Sequence, residues 1–225
     1  MALEGLDLPH LVAIAAALGW ASGLRLYAVV FLTGAAGWMG WVTLPPGLQV
    51  LQNPLLLGAA GLMCLMEFVA DKIPGLDTLW DAVHTLIRIP AGAALAAGAF
   101  GGDSTTWSLV AALLGGTLAA GAHVAKATAR AAANTSPEPF SNIGLSLAGD
   151  ALVPAGLWLA VSHPLVFGLF LVLVLVLSVW LIRKSWRFLR GLFTRVARIF
   201  SGRPDPGVVP AFRIGKDSSV DTPHV

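Results

Sequence analysis

Residues 165–182 read LVFGLFLVLVLVLSVWLI, 18 positions without one ionisable side chain. A run of that length fits the hydrocarbon core of a bilayer, where every backbone N–H and C=O must be satisfied internally. An α-helix does this within one segment, so the run predicts a membrane-spanning helix. The rest of the chain agrees. Of its 225 residues 56% are apolar and 12% charged, with a mean hydropathy of +0.79. Soluble domains carry about 25% charged residues, so a water-soluble globular protein and a disordered one are both excluded. The expected fold is an all-α polytopic membrane bundle.

The charge is lopsided. From Arg183 onward nine Lys/Arg face three Asp, a surplus of six positive charges; before it five Lys/Arg face nine Asp/Glu, a deficit of four. The basic character is therefore a tail behind a membrane helix, which argues against nucleic acid as a partner despite a pI of about 9.0. A Lys/Arg excess marks the cytoplasmic side. The single cysteine, Cys64, lies in an apolar run, so neither a disulfide framework nor a thiolate metal cluster is expected. The acidic start, with Glu4 and Asp7, does not read as a secretory signal.

Six spans account for the apolar stretches: 8–41, 55–69, 79–100, 107–133 (with 104–122 uncharged), 142–161 and 165–182. The first is interrupted only by Arg25. As one helix it would measure about 51 Å against a core of about 30 Å. It is read as one tilted or kinked crossing with Gly19 and Gly23 as weak points; two short half-helices are the alternative. With the C-terminus cytoplasmic in an inner (plasma) membrane, the connections near 72–77 and 130–142 also fall inside. Those at 42–53, 102–106 and 162–164 fall outside and carry no Lys or Arg, as the positive-inside rule requires.

The heptapeptides PAGAALA (90–96) and PAGLWLA (154–160) agree at five of seven positions. Each follows a polar connection, which follows an apolar helix. An internal two-helix repeat, roughly 55–98 and 113–162, is expected, with short or broken helices around a polar centre. Transporter folds are often built this way, with the site at the repeat interface.

Ionisable residues inside spans are costly and usually line a cavity or pair with one another. Asp77, Asp81, His84 and Arg88 fall at i, i+4, i+7 and i+11, one helical face. His123, Lys126, Arg130 and Asn134 do the same at i, i+3, i+7 and i+11. Glu67 and Asp71 are four apart. Glu138, Asn142 and Asp150 add polar groups nearby, and Arg25 adds a base from the first helix. Asp77, and Ser141 or Asn142, are expected helix caps. The set is the candidate substrate- or ion-binding site: the carboxylates and His84 would handle protons or cations, and Arg88, His123, Lys126 and Arg130 an anionic group such as a lipid headgroup. A buried ion-pair network that only holds helices together is the structural reading. Small-xxx-small spacings at Gly92/Ala96, Gly115/Ala119 and Gly121/Ala125 already serve packing in lipid, however.

Glu67, Asp77, Asp81, His84 and His123 suit Mg, Mn or Zn, but their spacing matches no strong metal signature. No nucleophile elbow, HExxH or phosphate loop appears, and no cofactor is implied. That lowers the enzyme reading, of which an intramembrane enzyme acting on lipid is the form that remains.

In residues 183–200 apolar side chains recur at Trp186, Leu189, Phe193, Val196 and Phe200, with arginines on other faces. This predicts a basic amphipathic helix at an anionic leaflet. The Pro/Gly/Asp/Ser-rich residues 201–225 are expected to be disordered. Membrane lipids are the expected partners, and a homo-oligomer is compatible with such a bundle.

The run EFVADKIPGLD at 67–77 continues through Trp80, Asp81, His84 and Thr85 to Arg88 and the PAG triplet at 90–92. With His123, Lys126, Arg130, the SPEP run at 136–139 and Ser141-Asn142, it resembles a bacterial integral-membrane family designated only as a domain of unknown function, the 4126 family. The resemblance covers residues 8–162. It implies a membrane protein with these polar positions as its signature, and no substrate. A small transporter or channel-like protein is the function expected first, a membrane scaffold second.

Overall fold

The computed structural model describes residues 7–73, 75–101, 105–135 and 139–201, and the side chains of all of these except 139 and 195–201. Regular structure among them is helical throughout: α1 (Leu8–Trp38), a 3₁₀ segment (Pro46–Gln52), α2 (Pro54–Ala70), α3 (Leu76–Ala99), α4 (Thr105–Ala133), α5 (Pro139–Ser162) and α6 (Pro164–Ser201). Proline marks the starts of α2, α5 and α6, where its missing N–H costs no helical bond. Asn53 caps α2 by accepting from Leu55 N–H at 2.9 Å, and Asp7 caps α1 by accepting from His10 N–H at 3.3 Å. Five helices (α1 and α3–α6) are long and apolar enough to cross a membrane, and the 3₁₀ segment with α2, bent by 72°, makes a sixth candidate. The chain is a polytopic membrane helix bundle.

Of the two readings of the first stretch, one tilted or kinked crossing and two short half-helices, the backbone follows the second. Arg25 has φ −148° and ψ 80°, which breaks α1 into arms 8–24 and 26–38. The arms fold back on each other. Ile14, Ala17 and Leu18 from the first line the same cavity of about 450 Å³ as Leu32, Thr33 and Ala36 from the second. In a straight helix Ile14 and Ala36 would lie about 33 Å apart. Direction confirms it. Along the first arm Gly19 meets Gly115 and Gly23 meets Ala119, so it runs the same way as α4; along the second, Phe31 meets Gly61 and Gly34 meets Leu57, so it runs against α2. Helices α2 and α4 both end near the shared polar residues. The arms therefore form a V with Arg25 at its apex, at the polar end of the bundle.

Gly19 and Gly23 are packing points rather than weak points. A Cβ on either would overlap the α4 backbone at Gly115 or Ala119. On α3 a Cβ at Gly92 would come within 2.7 Å of the Ala119 Cβ, and Ala96 packs into the space beside Gly115. Small residues thus bring α1, α3 and α4 together, as expected where lipid gives no hydrophobic drive for helix association. Gly121 has nothing within 4 Å, so Gly121/Ala125 is not such a contact. Helix α5 lays Gly156 against the Trp20 ring, 2.8 Å from where a Cβ would stand. Trp20 in turn meets Phe170 of α6 edge-on at 5.6 Å between ring centres. The outer faces of α2 and α6 are apolar and open, with Leu55 83%, Leu165 81% and Leu169 73% exposed. They suit lipid contact.

Candidate functional site

Every Lys and Arg before residue 183 converges on one place. Asp71, at the end of α2, is its hub: Arg25 reaches it at 3.0 Å, Lys126 at 3.2 Å and Arg130 at 2.9 Å. From the apex of α1, Arg25 also spans to Asp150 of α5 at 2.9 Å and donates to the Ser146 hydroxyl at 2.9 Å. Lys72 closes that edge, 3.6 Å from Asp150. Deeper in the bundle Arg88 of α3 pairs with Glu67 at 2.5 Å and with Asp81 at 2.9 Å. Lys126 of α4 joins the two halves, 3.1 Å from Asp81. Five cations therefore face five carboxylates (Glu67, Asp71, Asp77, Asp81 and Asp150) in one connected network.

The helical spacings of the sequence build this arrangement. Asp77, Asp81 and Arg88 are buried on one face of α3, and His123 and Arg130 on one face of α4. Close helix packing across Gly92 and Ala119 brings the two faces together. His123 sits between them, 2.7 Å from the Thr85 hydroxyl and 3.4 Å from Arg88. At the rim, Asn134 donates to both Asp77 oxygens at 3.0 and 3.1 Å. The break in α1 contributes its own group: Lys126 donates to the Leu24 carbonyl oxygen at 3.0 Å, just before the non-helical residue.

Other expected members stand apart. His84 stacks on Trp80 at 4.2 Å between ring centres and meets Tyr27 edge-on at 5.6 Å. Its Nδ1 lies 2.8 Å from the Trp80 carbonyl oxygen, so it borders the network without joining it. Asn142 is buried one turn before Ser146, yet neither of its side-chain polar atoms has a hydrogen-bond partner among the described residues. Glu138 lies outside the described residues. The capping roles are corrected too. Helix α3 begins at Leu76, so Asp77 lies within the first turn, where it accepts from Gly75 N–H at 2.8 Å and Thr78 N–H at 2.7 Å. Helix α5 begins at Pro139, which places Ser141 and Asn142 inside it. Ser146 and the Leu24 carbonyl went unread in the sequence, and Lys72 and Thr85 stood in the quoted motif without being assigned to the site. Ser146 shares a helical face with Asp150, the one signal that could have found it.

The network is paired rather than hollow. One cleft of about 150 Å³ reaches it, with Arg25, Asp71, Lys126, Arg130 and Ser146 on its polar side. Among the described residues no group of three His, Cys, Asp or Glu side chains is placed to hold a metal ion, because the carboxylates are turned onto cations. No curated protein and no solved structure matches the chain. The sequence pattern of the domain of unknown function family DUF4126 matches residues 12–184, which hold α1 from Val12 onward and every member of the network. The chain belongs to that family.

Proposed function

We propose that this protein is a small transporter or channel-like protein of the plasma membrane, with its C-terminus in the cytoplasm. Its charged centre handles protons or cations, or an anionic group, between the two sides. The observation that carries the reading is the coincidence of a connected ten-charge network with a broken helix whose freed Leu24 carbonyl is bonded by Lys126. Discontinuous helices that offer backbone carbonyls to cations are a recurring way of building transport sites. Packing supports it as well, since Gly19, Gly92 and Gly115 already hold α1, α3 and α4 together without charges.

The test is reconstitution in liposomes with a panel of ion and amphiphile gradients. Flux in the wild type, reduced in Lys126→Gln protein that still elutes as a folded species, is the expected result. One observation favours a second reading, a membrane scaffold: Arg25, Arg88, Lys126 and Arg130 each lie within 3.1 Å of a carboxylate. A protein silent across the whole panel, whose charge substitutions change only stability, would be that scaffold.

A further inference from the structure

The cleft beside the network has two kinds of wall. Its floor holds three cations, Arg25, Lys126 and Arg130, and one carboxylate, Asp71. Its sides are apolar: Ala125 and Ala129 from α4, Leu145 and Leu152 from α5, Val174 and Leu177 from α6. Two hydroxyl residues line it, Ser146 and Ser178, and Ser178 is the one hydroxyl residue in the uncharged run of α6. The volume of about 150 Å³ equals roughly five waters at about 30 Å³ each.

Donors in this floor are left over. The Nε–H groups of Arg25 and Arg130 have no hydrogen-bond partner among the described residues, although both side chains are at least 97% buried. Buried N–H groups cost free energy unless something accepts from them. Gly149 leaves the space beside Arg25 open, since even a Cβ there would stand 3.6 Å from Nε. An acceptor-rich anion fits a floor where three cations and unmet N–H groups face the cleft while the counter-charges Asp81 and Asp150 stand behind it, and a hydrocarbon chain fits the sides.

We propose that the cleft between α4, α5 and α6 binds the anionic headgroup, phosphate or carboxylate, of an amphiphile that enters sideways from the lipid. This rests on the transport reading above and names its substrate class. Ser146 and Ser178 flank the headgroup, Arg25 and Arg130 donate to it, and Lys126 neutralises it. The acyl chain leaves between α5 and α6.

The probe is a spin-labelled phosphatidic acid, compared with phosphatidylcholine of the same chain, in nanodiscs of the full-length protein. Roughly 1 M salt shortens the Debye length to about 3 Å and screens the attraction of the basic tail, while the buried floor keeps its charge. Wild-type protein should immobilise an excess of the anionic lipid. Ser178→Trp, which fills the cleft from α6, and Ala148→Leu, which narrows it from α5, should each abolish that excess. Leu169→Trp, on the exposed face of α6, should keep it. No excess in the wild type, or an undiminished one in both cleft variants, overturns the site. Inorganic phosphate that displaces the label as well as unlabelled phosphatidic acid does would make the free anion the ligand and sink the amphiphile; weaker displacement supports it. Flux without lipid selectivity would remove this site and leave the transport reading standing, and selectivity without flux would do the reverse.

Discussion

Asp71 is fully buried and pairs with three cations from two helices, Arg25 of α1 and Lys126 and Arg130 of α4. Removing its charge strands buried positive groups, and an unpaired buried charge is far more costly than a missing ion pair. Asp71→Asn should therefore lose about 3–5 kcal/mol of stability, read as a lower melting temperature in detergent. Lys72→Gln, at the half-exposed rim beside Asp150, should cost at most about 1 kcal/mol. Equal losses would remove Asp71 from its place as hub. Arg88 makes a sharper case because it has two acidic partners, Glu67 and Asp81. Arg88→Met should be severely destabilising, and adding Glu67→Gln should recover much of the loss, since Asp81 keeps Lys126 at 3.1 Å. A double variant no more stable than Arg88→Met would show that the Arg88–Glu67 pair is not a self-contained charge balance. At this scale the sequence was informative where charges recur at helical spacing, as with Asp77, Asp81 and Arg88. His84 is buried on that same face, as the spacing implies, but it partners Trp80, one turn earlier, instead of a charge, and periodicity does not distinguish a polar neighbour from an aromatic one.

Helices in lipid associate through close backbone approach, and here that approach is local. Gly115 sits where α1, α3 and α4 meet, against Gly19, Gly92 and Ala96. Gly121, six residues along the same helix, faces open space. Gly115→Leu should push the three helices apart, cost at least about 1–3 kcal/mol as overpacking and scatter the network above it. Gly121→Leu should leave melting and elution unchanged. Comparable damage from both would mean that α4 presents a different face to its neighbours. The small-residue pattern was legible in the sequence, but its partners were not, because spacing along one helix says nothing about which face meets which neighbour. The same limit explains α1. Its excess length was visible, and glycine is the usual suspect for a break; yet the glycines serve contact with α4, and the break falls at Arg25, whose side chain ends between Asp71 and Asp150.

The V of α1 changes the topology of the whole molecule. If α1 made one crossing, its two ends would lie on opposite sides of the membrane. Folded back at Arg25, it would return both ends to the side opposite the network, leaving α3 to α6 and the bent 3₁₀–α2 pair to make five crossings. Charge agrees with this arrangement: residues 1–24 contain no Lys or Arg, and neither does the stretch 39–53 that follows the second arm. The basic residues up to Lys184 then lie toward one side, with Arg183 and Lys184 at its boundary, as the positive-inside rule requires. Membrane-impermeant maleimide decides the matter with single cysteines placed in a Cys64→Ala background at Leu8, Met39 and Lys184. In intact cells Leu8→Cys and Met39→Cys should both be labelled, and Lys184→Cys only after permeabilisation. Labelling of Leu8→Cys and Met39→Cys from opposite sides would make α1 a single crossing and overturn the V. Labelling of Lys184→Cys alone in intact cells would keep the V but invert the bundle, putting Arg183, Lys184 and the polar end outside against the positive-inside rule.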